Sequence, residues 1–249
     1  ANVAVGYNNI DVAACTRRNI LVCNTPDVLT DATADLTWAL ILACTRRLRE
    51  GEQFIRTGQF DGWGPNLLLG LSLQNKVLGI FGMGRIGRAV TRRAKAFGMQ
   101  VVYHNRQALD GGTEASLEAH WVSKEELLAR SDILSLHAPL TSQTVGAFGT
   151  EELAAMKEGA VLINTARGPL VDEDALVRAL GSGKLWAAGL DVYELEPEVH
   201  PGLLHRNDVV LLPHLGSATQ ACRAQMAQLA LDDAAAVLRG QTPRYTVSD

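Results

Sequence analysis

A glycine loop, an arginine in a tight turn, two glutamates ahead of a proline and a histidine behind one are the residues with evident chemical use. Gly82-Met83-Gly84-Arg85-Ile86-Gly87 directly follows the apolar run Val77-Leu78-Gly79-Ile80-Phe81 and opens a helical pattern. In that pattern Ile86, Val90, Ala94 and Phe97 recur at i, i+4, i+8 and i+11. A GxGxxG alone is a weak signal; strand, glycine loop and helix in immediate succession point to a dinucleotide site. Gly82 permits the tight turn, Gly84 lets the backbone approach a pyrophosphate, and Gly87 lets helix and strand pack closely. With Met83, Arg85 and Ile86 they form one candidate cofactor loop, where the helix N-terminus offers N–H groups and positive dipole to the anion.

The next strand end selects the dinucleotide. NAD binders usually carry Asp or Glu about 20 residues on, to hold the ribose 2′-hydroxyl. Here the run at 100–103 ends in His104-Asn105-Arg106-Gln107, with no acid until Asp110. Arg106 can pair with a 2′-phosphate and Asn105 can hydrogen-bond it, whereas a carboxylate there would repel it. NADP(H) is therefore the preferred cofactor, with NAD(H) as the alternative. The competing reading of Arg106 is a solvated surface arginine.

Three further segments lie at or just past strand ends, where open α/β sheets bind ligands. They are Asn164-Thr165-Ala166-Arg167-Gly168, Asp191-Val192-Tyr193-Glu194-Leu195-Glu196-Pro197 and Pro213-His214-Leu215-Gly216-Ser217-Ala218-Thr219. Together they bring an arginine, a carboxylate and a histidine to one edge of the sheet. Taken singly, His214 reads as a core histidine behind Pro213, and Glu196 as an ordinary loop acid with Glu194 its rival. The other histidines (His104, His120, His137, His200 and His205) show no ligand spacing, so no metal site is expected. There is no GxSxG elbow for serine hydrolysis.

The elements that must position these residues alternate along the chain. Continuous apolar runs at 77–81, 100–103, 133–136, 160–163, 187–190 and 209–212 read as parallel strands covered on both faces. Helical patterns separate them. Ser123-Lys124-Glu125-Glu126 has the form of a capping box, Asp172 can cap a helix over 173–180, and Gly98 stops the helix over 86–97. The alternation predicts right-handed crossovers and a doubly wound parallel Rossmann sheet. Residues 31–47 read as one long helix, with Asp31 and Asp35 in its first turns and Arg46 and Arg47 in its last. Residues 51–75 read as an irregular, glycine-rich arm whose Trp63 and Leu67-Leu68-Leu69 pack on a second subunit or on their own domain. Met226, Leu229, Ala230, Val237 and Leu238 mark a last amphipathic helix, and residues 1–5 read as a strand.

Composition narrows the classes. The chain has 249 residues, 47% of them hydrophobic, enough for a sizeable core. With 27 acidic against 23 basic residues the net charge is -4, which disfavours a nucleic-acid binder. No apolar run approaches the roughly 20 residues of a membrane span. The four cysteines (Cys15, Cys23, Cys44 and Cys222) form no CxxC pair, as expected of a cytoplasmic protein.

These motifs, with Val5-Gly6-Tyr7-Asn8-Asn9-Ile10-Asp11 and Asn24-Thr25-Pro26, make the chain similar to the D-isomer-specific 2-hydroxyacid dehydrogenases. The glyoxylate/hydroxypyruvate reductase branch is the nearest, and the resemblance runs from Ala1 to about Gly240. It implies that Arg167 clamps the substrate carboxylate and polarises the 2-oxo group, and that His214 is the general acid. Glu196 would fix the tautomer of His214 and favour its charged form. It further implies that backbone N–H groups at Val5 and Gly6 bind the carboxylate. Thr165, Ala166, Asp191 and Gly216 would line the nicotinamide, and Thr33 would touch the cofactor.

The family has two α/β domains, the flavodoxin-like substrate domain being built from both chain ends. Residues 1–29 would be a remnant of that domain and 219–249 the helix returning to it. Residues 30–218 would form the NAD(P)-binding domain. Earlier strands and helices of the substrate domain, with its closing loop, are then expected upstream of Ala1. The implied activity is reduction of small 2-oxo acids to D-2-hydroxy acids, by a homodimer. The alternatives are a phosphoglycerate or 2-ketoaldonate dehydrogenase and a dinucleotide-sensing corepressor.

Overall fold

In the computed structural model, which describes residues 1–247, the apolar runs become strands of a seven-stranded sheet. These are β1 (Val77–Phe81), β2 (Gln100–His104), β3 (Ala119–Trp121), β4 (Ile133–Leu136), β5 (Ala160–Asn164), β6 (Leu185–Leu190) and β7 (Val209–Leu211). The order is β3-β2-β1-β4-β5-β6-β7 and every pairing is parallel. Chain direction across the sheet reverses between β1 and β4, the topological switch point at which such sheets open a crevice. In register, Phe81 pairs with Leu136, Leu136 with Asn164, Asn164 with Leu190 and Leu190 with Leu211. The strands thus finish level, and the residues that follow them, Gly82, His137, Thr165, Asp191 and Leu212, line one edge.

Two apolar layers hold the sheet. β4 and β5 are buried throughout, as their unbroken hydrophobic runs require. One layer joins Phe81, Leu134, Leu136 and Leu162 to Leu127, Phe148, Leu153 and Leu176. Phe148 meets Phe81 edge-on at 4.9 Å. The opposite layer joins Leu78, Ile80, Val101 and Ile163 to Trp38, Ile41 and Val90. Each fully buried aliphatic chain contributes on the order of 1.5–3 kcal/mol.

Helices cover both layers: α2 (Thr30–Thr45) and α4 (Arg85–Ala94) on one side, α6 (Lys124–Arg130), α7 (Thr150–Ala155) and α8 (Glu173–Gly181) on the other. Ser123 and Glu126 form the reciprocal capping box of α6, and Asp172 accepts from Ala175 N at 2.8 Å to cap α8. The remaining helices are α1 (Val12–Arg17), α3 (Leu48–Arg56), α5 (Gly111–Leu117), α9 (Pro201–Leu204) and α10 (Gln220–Leu238). No helix among the described residues is long and apolar enough to cross a membrane.

The chain divides into two compact units, residues 34–215, with the whole sheet, and residues 1–33 with the stretch from 216 onward. In the smaller unit, buried Asp233 of α10 accepts from Arg244 N at 2.7 Å and Tyr245 N at 3.3 Å, and Val22 bridges Val247.

Three expectations need correction. Residues 1–5 form an irregular stretch with a bend at 3–5 rather than a strand: among the described residues two backbone bonds, Asn2 N to Cys23 O and Thr25 N to Ala4 O, tie them to a neighbour. The helix expected over 31–47 ends at Thr45. Arg47 turns into the left-handed region (φ 52) and pairs with Glu50 at 2.7 Å, so neither arginine serves the last turn of α2. The arm expected to be irregular from 51 begins as α3, which runs to Arg56. Beyond it Trp63 is 85% exposed and Leu69 57% exposed, whereas Leu73 is buried in the domain's own core. β3 went unforeseen because three residues, Ala-His-Trp, make no apolar run.

Candidate active site

Within the glycine loop the three glycines answer to different demands. Gly82 has φ +101, and a Cβ there would lie 2.6 Å from Ala138 N; one on Gly87 would lie 2.4 Å from Gly82 O. Packing of the loop on β4 and on itself therefore excludes a side chain at both. A Cβ on Gly84 would meet nothing within 4 Å. That open backbone, at the N-cap of α4 and without a side-chain cap among the described residues, is the cradle a diphosphate needs. The residues present fit a dinucleotide.

Asn105 at the end of β2 is tied to this loop: its Oδ1 accepts from Met83 N at 2.7 Å. Its backbone carbonyl accepts from Trp121 Nε1 at 3.0 Å. The amide NH2 of Asn105 can still face a ligand, and exposed Arg106 follows it.

Three loops build the rest of the edge. After β5, Asn164 Nδ2 donates to Arg167 O at 2.9 Å and its Oδ1 accepts from Ala166 N at 3.0 Å, shaping the turn that presents Arg167. Arg167 Nη1 donates to Ala166 O at 2.6 Å. Burial lowers the pKa of the guanidinium, against which the nearby charge of Glu196 acts. A Cβ on Gly168 would fall 1.8 Å from the Tyr193 carbonyl, so this turn lies directly against the loop after β6. Thr165 shares a buried hydroxyl bond with Thr37 at 3.0 Å.

After β7, His214 stands in the left-handed region (φ 54). Its Nδ1 lies 2.7 Å from Glu196 Oε1. The two glutamates face different partners. Glu194 turns the other way: its Oε2 accepts from Glu173 N at 3.3 Å, and its own N–H donates to Glu173 Oε1 at 2.9 Å. Asp191, fully buried, accepts from His214 N through its carbonyl at 2.9 Å and from Leu215 N through Oδ1 at 2.6 Å. An imidazole with Nδ1 on a carboxylate can deliver a proton from Nε2, and an arginine on the same edge can pair with an anionic group.

Val5, Gly6, Thr33 and Gly216 belong to the smaller unit. There Val5 O accepts from Asn24 Nδ2 at 2.8 Å, Gly6 O accepts from Asn2 Nδ2 at 2.8 Å, and Thr33 Oγ1 donates to Gly216 O at 3.1 Å. Sequence reasoning missed Glu173 and the tether made by Asn105, since neither has a local pattern that names its partner.

Residues 38–216 match the sequence profile described as D-isomer specific 2-hydroxyacid dehydrogenase, NAD binding domain. The chain belongs to this family. As a member of the D-2-hydroxyacid dehydrogenases it is an NAD(P)-dependent oxidoreductase with the Rossmann sheet of that family. It is 47% identical to a glyoxylate reductase of Thermococcus litoralis, over 100% of this chain and 76% of the relative. The crystal structure of a glyoxylate reductase from Paecilomyes thermophila matches 98% of this chain and 73% of its own, with a TM-score of 0.91 and 44% identity. An NADPH-dependent glyoxylate/hydroxypyruvate reductase from Sinorhizobium meliloti, solved with NADP and malonate, matches 99% of this chain and 76% of its own. Its TM-score is 0.92 at 39% identity.

Proposed function

We propose that the protein reduces small 2-oxo acids, glyoxylate and hydroxypyruvate first, to 2-hydroxy acids of the D configuration where chirality arises. NADPH is preferred to NADH. The substrate class draws support from the relatives' names, and the cofactor preference from Arg106 standing where an acid would repel a 2′-phosphate. The observation that carries the reading is the 2.7 Å contact of His214 Nδ1 with Glu196 on the edge that also bears the glycine loop.

A bound reduced nicotinamide supplies the hydride. Arg167 binds the substrate carboxylate and polarises the 2-oxo group with its planar fork of donors. His214 gives the proton from Nε2 to the carbonyl oxygen, a role worth about 10²–10⁴-fold in rate. Glu196 fixes the His214 tautomer and compensates the imidazolium charge. From the family resemblance, Val5 and Gly6 are assigned to the substrate carboxylate. Thr33, Thr165, Ala166, Asp191 and Gly216 are assigned to the cofactor, and residues 1–29 and 219–249 to the substrate domain.

The test is absorbance at the reduced-nicotinamide band, with NADPH and NADH against glyoxylate and hydroxypyruvate. Faster turnover with NADPH is expected; NADPH binding with no reduction of any 2-oxo acid overturns the reading. A homodimer is inferred from the exposed apolar side chains of the arm, Phe60, Trp63 and Leu69, and sedimentation at two concentrations decides it. Four free cysteines support a reducing, cytoplasmic setting, which fractionation checks.

A further inference from the structure

We propose that Glu173 is a positioning residue: its buried carboxylate anchors the start of the loop that carries Glu196, and so keeps Glu196 on His214. The proposal rests on the functional reading above. Glu173 is the first residue of α8 and only 5% exposed. Its Oε1 accepts from Glu194 N at 2.9 Å; burial raises the pKa of this carboxyl, and that backbone donor opposes the rise. Glu194 returns the bond through Oε2 on Glu173 N at 3.3 Å. The carboxylate therefore anchors the start of the excursion 194–200, two residues before Glu196.

The far end of the excursion is held elsewhere: His200 Nε2 lies 3.0 Å from Asp174 Oδ1 and its carbonyl accepts from Leu203 N at 2.9 Å. Residues 194–198 are all exposed, Leu195 by 70%, and Glu198 N to Leu195 O at 3.0 Å is the one backbone bond within them among the described residues. An exposed turn of this kind takes its place from its anchors. Helix capping does not explain Glu173, because Asp172 already caps α8. Burying a carboxylate is costly unless backbone donors meet it, and here the donors come from the loop. The same clasp reaches Arg167. Gly168 lies against the Tyr193–Glu194 peptide, so a displaced Glu194 shifts the surface on which the Arg167 turn rests.

The test compares Glu173→Ala and Glu173→Gln with the unaltered protein by three readouts. Glu173→Ala is expected to lower kcat/KM for the 2-oxo acid about tenfold or more, with NADPH affinity unchanged. It is expected to speed amide exchange at Glu194, and to remove the 15N signature of the His214 Nδ1–H tautomer. Glu173→Gln, which keeps one acceptor oxygen without the charge, is expected to recover part of the activity and part of the protection at Glu194. Unchanged exchange, or an unaltered kcat/KM, in Glu173→Ala overturns the proposal. Should that variant not fold, Glu173→Gln carries the comparison, and full activity with full protection of the Glu194 amide is then the overturning result. A failure of the functional reading is distinguishable: the unaltered protein would show no turnover, while exchange and 15N readouts would still report the clasp.

Discussion

Asp191 holds His214 by the backbone: its carbonyl accepts the His214 N–H at 2.9 Å while its Oδ1 takes the next N–H, that of Leu215, at 2.6 Å. Both peptide groups beside the histidine are thereby fixed by one buried residue. That fixation sustains the left-handed conformation at His214, a region that residues other than glycine seldom occupy. The imidazole is aimed by the backbone before Glu196 adds its bond.

Replacing His214 should therefore separate chemistry from binding. His214→Gln keeps a polar side chain on the same loop but cannot donate the proton. Turnover should fall by about 10²–10⁴-fold with NADPH affinity nearly unchanged. Single-turnover kinetics with fluorescence titration of NADPH measures both, and equal losses would remove His214 from the general-acid role.

Cofactor preference should follow the charge at Arg106. A charge-assisted bond to a phosphate is worth about 1.5–3 kcal/mol, and a carboxylate in its place repels. Arg106→Asp should lower kcat/KM for NADPH by tenfold or more and leave NADH equal or improved. An unaltered ratio of the two would refute the phosphate role.

The glycine loop predicts a contrast between neighbours. Gly84→Ala meets open space, so the melting temperature should hold while NADPH affinity falls by roughly tenfold, a loss of about 1.4 kcal/mol. Gly87→Ala places a methyl 2.4 Å from Gly82 O and should cost about 1–3 kcal/mol of stability. Calorimetry paired with cofactor titration checks both; equal melting temperatures in the two variants would contradict the packing argument.

His137 gives the pH dependence. Burial pushes its imidazole down from the ordinary 6.5 to about 3, beside a Ser135 hydroxyl at 2.8 Å. It is neutral when folded and takes up a proton on unfolding, so the unfolded chain binds more protons at acid pH. Stability from this group is present above about 6.5 and drains away as pH falls toward 3, by at most about 1.4 kcal/mol per unit. His137→Asn should flatten the difference in urea midpoint between pH 7 and pH 5. An identical acid slope in both proteins would rule the histidine out.

The sequence made the cofactor loop legible because strand, glycines and helix are contiguous, and the caps at Ser123 and Asp172 because capping is local. Read alone, Glu194 and Glu196 stay rivals and only the family resemblance names Glu196, because Glu173, the partner of Glu194, lies 21 residues away in the chain. Asn105 reads as a ligand-facing residue; that its side-chain Oδ1 is spent on Met83 N is visible only once two strand ends stand side by side. Arg46 and Arg47 fitted a dipole argument, and lost to a left-handed turn at Arg47 that starts a second helix.

Both outermost strands, β3 and β7, are three residues long, against four to six for the strands between them. Each open margin of the sheet offers a foreign strand few unmet amide and carbonyl groups to pair with. Brevity at the margins thus serves as protection against edge-to-edge aggregation, leaving the long hydrophobic runs, which would be the dangerous templates, shut inside.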